Sequence, residues 1–173
     1  MRFRLLFIVS ITLSFLLPAA GQVSVKSSDE LPDLVIELSI SSKAKAGMDI
    51  GRDIKLVAKN IGKATAHGSV DDSSMPDYYM IDFILSSDEI VPKNFARYSP
   101  NFFEDVLLRG GRVSRTLDLA PGESRMYLNG AGIPADTPAG NYFICAQIDP
   151  GKKVIESDED NNVVCSSIEV ENP

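Results

Sequence analysis

Apolar and polar residues alternate along several short segments of this chain, and a period of two is typical of β-strands with one buried face. Residues that favour turns, mainly Gly, Pro and Asn, lie between these segments. Helical periodicity is nearly absent, and the best helical candidate, residues 102–108, spans at most about two turns. The pattern therefore predicts an all-β fold, an antiparallel β-sandwich of about seven strands. The segments predicted as strands are residues 33–40, 52–59, 79–85, 113–119, 124–128, 141–149 and 163–170.

The phase of the alternation predicts which side chains face the core. Leu34 and Ile36 are examples in the first predicted strand, and Ile144 is one in the sixth. In the fifth strand the same reasoning selects Met126 and Leu128. We expect one buried face in each sheet and a second face that is open to water.

The first 21 residues have the features of a secretory signal peptide. Arg2 and Arg4 precede an apolar run over residues 5–17, and small residues stand before Gln22. The run is too short to span a bilayer comfortably, although an uncleaved anchor is the alternative interpretation. We therefore predict a short signal helix in residues 1–21, a flexible lead-in at 22–31 and one sandwich domain at 32–173. The expected location is secreted, periplasmic or extracellular, without membrane insertion after cleavage.

The charge and the residue types exclude several functional classes. The formal net charge is −7, and no basic stripe offsets it, so nucleic acid is not an expected partner. The chain has one histidine, His67, and none of the common motifs around an activated nucleophile or a phosphate. Nothing singles out a pair of carboxylates of the glycosidase type. We expect a protein that is not an enzyme, and His67 is the residue to test if hydrolase activity is found.

The two cysteines lie in the last two predicted strands, which should pair as a hairpin. Cys145 and Cys165 both have the phase opposite to the core-facing residues, so they should project from the same outer face. That is the geometry of a cross-strand disulfide, and an exported chain meets an oxidising environment. We predict a Cys145–Cys165 disulfide.

An acidic segment, residues 149–162, contains the densest set of oxygen ligands in the chain. Carboxylates and amide carbonyls in one loop suit a hard cation such as calcium. In the alternative interpretation, which we favour, the asparagines hydrogen-bond the loop backbone and the carboxylates stay solvated. No cofactor is therefore expected, and calcium is the one candidate. The candidate calcium ligands are Asp149, Glu156, Asp158, Asp160 and Asn161.

Two connections, residues 66–78 and 87–105, are longer than a minimal sandwich needs. Long loops on a rigid scaffold often carry recognition residues. In the alternative interpretation, the aromatic rings of the second loop pack beneath it as a small apolar cluster, because exposed aromatic patches are costly. The candidate binding residues in this loop are Phe95, Tyr98, Phe102 and Phe103.

A series of short motifs runs in order along residues 32–162. They are residues 32–35, 57–64, 83–88, 119–124, 138–149 and 154–162. Together they resemble the CARDB domain, the cell adhesion related domain found in bacteria. The resemblance implies an Ig-like sandwich of seven strands in secreted or surface proteins of bacteria and archaea. It supplies no catalytic residues, and the two long loops depart from the family pattern.

The shared motifs have a structural interpretation. Asn60-Ile61-Gly62 should turn the chain between two strands. Tyr142 is in a setting like a tyrosine corner, in which the phenol bonds nearby backbone. Glu156 and Asn161-Asn162 should order the last hairpin loop.

These observations favour a secreted, non-catalytic module for binding or adhesion, which contacts a protein or a glycan at the cell surface or envelope. The alternative is a structural subunit that assembles through strand edges. In that case residues 22–31 would pair with a neighbouring copy, and calcium is a candidate trigger.

Overall fold

The computed structural model describes residues 30–70, 77–91 and 105–173. These residues form eight β-strands and no α-helix, so the all-β prediction is confirmed. None of the described segments is a helix of the length and apolarity that crossing a bilayer would require. The predicted signal peptide lies outside the described residues. The strands are β1 Leu34–Ser39, β2 Lys43–Lys45, β3 Lys55–Asn60, β4 Ile81–Ser86, β5 Val106–Val113, β6 Ser124–Tyr127, β7 Gly140–Ile148 and β8 Val163–Glu171.

The strands form two sheets that pack as a sandwich. One sheet has the order β1-β3-β6, and the other has the order β2-β8-β7-β4-β5. The pairs of described strands are antiparallel except β2 with β8, which is parallel, so the purely antiparallel prediction is wrong at this edge. β2 has three residues, and only Ala44 of them is buried. A strand this short carries no periodic signal in the sequence.

The predicted inner faces of β1, β3, β4, β7 and β8 form one apolar core. The predicted phase is confirmed in each of these strands, because the alternate residues selected from the sequence are buried or packed against buried residues. Fully buried residues from both sheets meet there, and they provide most of the driving force for folding. They include Leu34, Leu56, Ala58, Tyr79, Ile81, Phe83, Ile144, Ala146, Ile148 and Val170.

The outer face of the five-stranded sheet is also buried over β4 and the second half of β7, which differs from the expectation of one buried face. Every residue of β4 is buried, including the outward-facing Asp82 and Ser86. Asp82 is held by Arg112, whose Nε and Nη2 donate to its two carboxylate oxygens at 2.6 Å each. A bidentate pair of this kind satisfies a carboxylate that water cannot reach.

The predictions for residues 102–119 are wrong in two respects. Residues 106–108 of the helical candidate belong to strand β5, and of the predicted strand at 113–119 only Val113 lies in a strand, while Leu119 forms an isolated bridge with Ala66. The cause is Gly110-Gly111, which the sequence pattern indicates as a turn. Gly110 has a φ of 74° and lies inside β5, where the register with β4 shifts. A glycine with left-handed φ is typical of a β-bulge, which lets the strand continue past the irregularity.

The phase of β6 is also wrong by one residue. Met126 and Leu128 are 60% and 79% exposed, whereas Tyr127 between them is 9% exposed. The Tyr127 hydroxyl lies 2.8 Å from the Tyr79 hydroxyl and accepts a hydrogen bond from the amide of Leu117 at 3.1 Å. These bonds satisfy the polar end of a buried ring. Tyr127 is therefore buried in the core, and its two apolar neighbours are exposed.

Candidate functional site

The acidic segment 149–162 connects β7 to β8, and we call it the hairpin loop. The loop begins with Asp149, which is buried and has a φ of 46°. Asp149 Oδ2 accepts a hydrogen bond from the amide of Val154 at 2.8 Å, and its carbonyl accepts one from the amide of Lys152 at 3.0 Å. Aspartate is one of the few residues that tolerate left-handed backbone, so this side chain fixes the turn at the start of the loop.

Glu156 holds the hairpin loop against the first strand. Its side chain is 6% exposed, and Oε2 accepts a short hydrogen bond from the amide of Leu34. Its Oε1 accepts a hydrogen bond from Nδ2 of Asn162 at 2.8 Å, and the same Nδ2 donates to the carbonyl of Leu34 at 3.2 Å. Burial raises the pKa of Glu156 to about 8, against the two donors that favour its charged form.

The outer part of the hairpin loop is held by a second set of hydrogen bonds. Asp158 Oδ1 accepts the amide of Asp160 at 2.9 Å. Asn161 Nδ2 donates to Asp33 Oδ1 at 2.8 Å, and the Ser157 hydroxyl donates to Asp33 Oδ2 at 2.9 Å. This set resembles the alternative interpretation of the sequence, with the difference that the asparagines bond to β1 and its flank rather than to the loop alone.

The structure therefore uses four of the five predicted calcium ligands, Asp149, Glu156, Asp158 and Asn161, in hydrogen bonds within the fold. Across residues 30–70, 77–91 and 105–173, no three His, Cys, Asp or Glu side chains are grouped so as to hold a metal ion. The assignment of calcium to that set of five stays a prediction.

A small cavity of about 90 Å³ lies beside the hairpin loop, and two predicted ligands, Asp149 and Asp160, line it. Two other lining residues, Gln147 and Asn162, are 7% and 8% exposed. The sequence pattern missed Gln147 and gave Asn162 only a role in ordering the loop. Gln147 has the outward phase in β7, so its position predicts a solvated side chain. The remaining lining residues are Val91, Lys152, Glu159 and Val163.

Asn60, at the end of β3, organises the turns beside the hairpin loop. Its side chain is fully buried and makes four hydrogen bonds. Oδ1 accepts the amides of Asp33 at 3.1 Å and Gly62 at 3.0 Å. Nδ2 donates to the carbonyls of Ala64 at 2.7 Å and Leu119 at 2.8 Å. The predicted turn at Asn60-Ile61-Gly62 is therefore present, and one side chain ties it to two separate segments, at Asp33 and at Leu119.

The predicted disulfide is present in the structure, where Cys145 and Cys165 stand directly opposite each other in β7 and β8. Their Cα atoms are 4.0 Å apart. Both project from the outer face, as predicted, but Cys145 is fully buried and packs with Ile84. Val91 also packs against this pair, so the disulfide belongs to a second, smaller apolar cluster on the outer face.

The candidate binding residues Phe95, Tyr98, Phe102 and Phe103 lie at positions 92–104, outside the described residues. The other long loop is described in part. His67 Nδ1 lies 3.1 Å from Asp118 Oδ2, and Asp118 Oδ1 accepts the amide of Gly68 at 2.7 Å. Asp118 thus uses both oxygens to hold this loop, which gives the pair a structural role.

A groove of about 760 Å³ lies at the opposite end of β3 from the hairpin loop. Asp49, Gly51 and Arg52 come from the connection before β3, and Leu128, Asn129 and Gly130 come from the chain after β6. The backbones meet closely, because a Cβ atom at Gly51 would overlap the carbonyl oxygen of Asn129. No motif predicted this groove, since its two segments are far apart in the sequence.

Comparison with known proteins finds solved structures that share this architecture. No protein-family model matches the chain, and no curated protein matches it. Among solved structures, the CARDB domain of the PF1109 protein from Pyrococcus furiosus, in complex with di-metal ions, matches with a TM-score of 0.51 and 19% identity over 82% of this chain and 94% of that chain. The chain has the fold of a CARDB domain. The solution structure of the same PF1109 domain gives a TM-score of 0.51 and 20% identity over 82% of this chain and 96% of the other.

The motifs that carry the CARDB resemblance hold the fold together. Asn60 bonds its own turn and two other segments, as described above, and Glu156 and Asn162 bond Leu34 at the start of β1. The Tyr142 hydroxyl donates to the carbonyl of Pro138 at 3.1 Å, which is the bond predicted for a tyrosine corner. In this CARDB-like fold Asn60, Tyr142, Glu156 and Asn162 thus have structural roles.

Proposed function

We propose that the chain is an exported, non-catalytic module that binds a protein at the cell surface or envelope. The observation that supports this proposal is the groove beside β6, with Arg52 on one wall and the exposed Leu128 on the other. A glycan is the other partner expected from the sequence. It is less favoured, because none of the six residues that line the groove is aromatic.

The surface next to the groove has the composition of a protein interface. Leu128 and Met126 are both largely exposed and stand two residues apart, so together they form a small apolar patch rather than a single isolated apolar residue. Methionine and arginine are enriched at the centre of interfaces, and methionine adapts to partners of different shape. β6 is an edge strand of its sheet, so its outer backbone groups can pair with an extended segment.

Binding of the labelled chain to cells that produce it tests the proposal. We expect saturable binding that is lost when the cells are treated with protease and kept when surface glycans are oxidised with periodate. Arg52→Glu and Leu128→Asp should each weaken binding by about ten-fold or more, as truncation of a central contact does.

Two matched variants control for charge and for added polarity. Arg115→Glu makes the same charge change at an exposed site outside the groove, and Ile155→Asp alters a residue that is 73% exposed in the hairpin loop. Both should bind like the parent chain. Equal binding by all four variants would contradict the groove as the site. Binding that is sensitive only to periodate would favour a glycan, and self-association in sedimentation velocity would favour assembly through strand edges.

A further inference from the structure

Among the residues that line the small cavity beside the hairpin loop, two have a side-chain oxygen that is buried without a hydrogen-bond partner. These oxygens are Oε1 of Gln147 and Oδ1 of Asn162, and both residues line the 90 Å³ cavity. Asn162 uses its Nδ2 for Leu34 and Glu156, so Oδ1 is the atom that it has left for the cavity. A buried polar atom without a partner is costly, and two such atoms on residues that line one small cavity indicate that something polar occupies it.

The charges around the cavity indicate the sign of the occupant. Asp149, Glu159 and Asp160 contribute three carboxylates, and Lys152 contributes one ammonium. Lys152 Nζ is already bonded to Glu159, at 3.1 Å from Oε2 and 3.3 Å from the carbonyl. The lining therefore carries more carboxylates than ammonium groups, and the two amide oxygens add to its oxygen atoms. Such a surface attracts a cation rather than an anion.

We propose that this cavity binds a calcium ion through the carboxylates of Asp149 and Asp160 and the amide oxygens of Gln147 and Asn162. The grouping differs from the five ligands suggested by the sequence, because the amide oxygens of β7 and of the end of the hairpin loop replace Glu156, Asp158 and Asn161. The two amides complete a site in which the carboxylates alone are too few.

The size of the cavity fits a partly hydrated ion. A volume of about 90 Å³ is several times what one water molecule needs. Calcium takes six to eight oxygen ligands in flexible geometry and readily keeps some of its waters. Zinc prefers nitrogen and sulfur ligands, and magnesium demands a nearly ideal octahedron. An irregular set of four protein oxygens with room for water therefore favours calcium.

Thermal unfolding and calorimetric titration of the purified full chain test this proposal, which does not depend on the groove or its partner. After treatment with EDTA, we expect calcium to bind with a dissociation constant on the order of 10⁻⁴ to 10⁻³ M, as in extracellular modules. At roughly twenty times that concentration, calcium should favour the folded state about twenty-fold and raise the Tm by about 5 °C. Sodium chloride of equal ionic strength should give no comparable shift.

Three variants separate the site from general screening of charge. Asp149→Asn keeps a residue that tolerates left-handed backbone but removes a ligand charge, and it should weaken calcium binding by about ten-fold or more. Gln147→Met should abolish the calcium shift without lowering the Tm in EDTA, because it removes a buried oxygen that has no partner. Asp158→Asn makes the same charge change in the same loop, outside the cavity, and should keep the full shift.

The results decide between a cation and water. A parent chain with the same Tm in calcium and in sodium, and without titratable heat, would overturn the proposal and leave the cavity to ordered water. Equal weakening by Asp149→Asn and Asp158→Asn would also overturn it, because the effect would then be one of surface charge. If Asp149→Asn does not fold, Gln147→Met alone decides, since a full calcium shift in that variant refutes the site.

Discussion

The four hydrogen bonds of Asn60 make the substitution Asn60→Ala the most direct test of how this fold is held. The change removes the bonds to the amides of Asp33 and Gly62 and to the carbonyls of Ala64 and Leu119. A net contribution of about 1 kcal/mol for each bond gives a loss of about 4 kcal/mol. The carbonyl of Leu119 keeps its bond from the amide of Ala66 at 3.0 Å, which places the expected loss at about 3–4 kcal/mol.

Such a loss is large against the total stability of a small domain, which is about 5–15 kcal/mol. Urea unfolding followed by circular dichroism measures it well, because the chain has no tryptophan for fluorescence. We expect a lower midpoint with an unchanged slope, since the change alters stability rather than compactness. Asn141→Ala, at an exposed position of β7, is the matched control and should change the free energy of unfolding by less than about 0.5 kcal/mol.

Two results would refute this reasoning. A loss below about 1 kcal/mol for Asn60→Ala would mean that water or neighbouring groups replace the four bonds at little cost. An equal loss for Asn141→Ala would mean that the effect belongs to asparagine removal in general rather than to the turn.

Three further predictions concern the core and the hairpin loop. Because the pKa of Glu156 in the fold, about 8, lies above its ordinary 4.5, the folded state retains a proton that the unfolded chain loses. The free energy of unfolding should therefore fall by a few kcal/mol as the pH rises from about 4.5 to above 8, and Glu156→Gln, compared in EDTA by urea unfolding, should flatten that fall. An equal dependence of the free energy of unfolding on pH in the parent chain and in Glu156→Gln would contradict this prediction. Replacing Cys145 and Cys165 together by alanine should lower stability by about 3 kcal/mol, given their separation of 20 residues, and an unchanged urea midpoint would refute the estimate. In the same assay, Tyr127→Phe should lower the free energy of unfolding by about 1–2 kcal/mol, whereas Met126→Ser should lower it by less than about 0.5 kcal/mol. A larger loss for Met126→Ser than for Tyr127→Phe would support the phase of β6 that was predicted from the sequence.

The sequence predicted those parts of the fold in which a long alternating segment has only one phase that buries its apolar residues. β7, with Ile144 and Ile148 facing the core, is an example. In the short β6 both phases were plausible, and the choice came from the bond between Tyr127 and Tyr79, 48 residues away. Local sequence carries no information on such a partner. The prediction of a turn at Gly110 was wrong for a related reason, because a glycine pair favours a turn and a bulge alike.

The candidate sites were predicted less completely than the fold. Composition drew attention to Asp149 and Asp160, because carboxylates are dense in the hairpin loop. It could not select Gln147, since an outward residue of a sheet is buried only where a distant part of the chain covers it. The groove that contains Arg52 and Leu128 joins two segments with no common pattern, so only the tertiary structure brings them together.

The bonds between the hairpin loop and β1 join parts of the chain that are synthesised far apart in time. Leu34 is 122 residues before Glu156 and 128 residues before Asn162 along the chain. A polypeptide that emerges from its amino end would expose β1 first, and the groups that satisfy its first amide and carbonyl would arrive nearly last. Contacts of such long range form slowly, so the strands that are synthesised first stay in an incompletely paired sandwich until the last hairpin is made. We expect folding to become productive only when the last hairpin has emerged, which makes that hairpin the step that commits the whole domain.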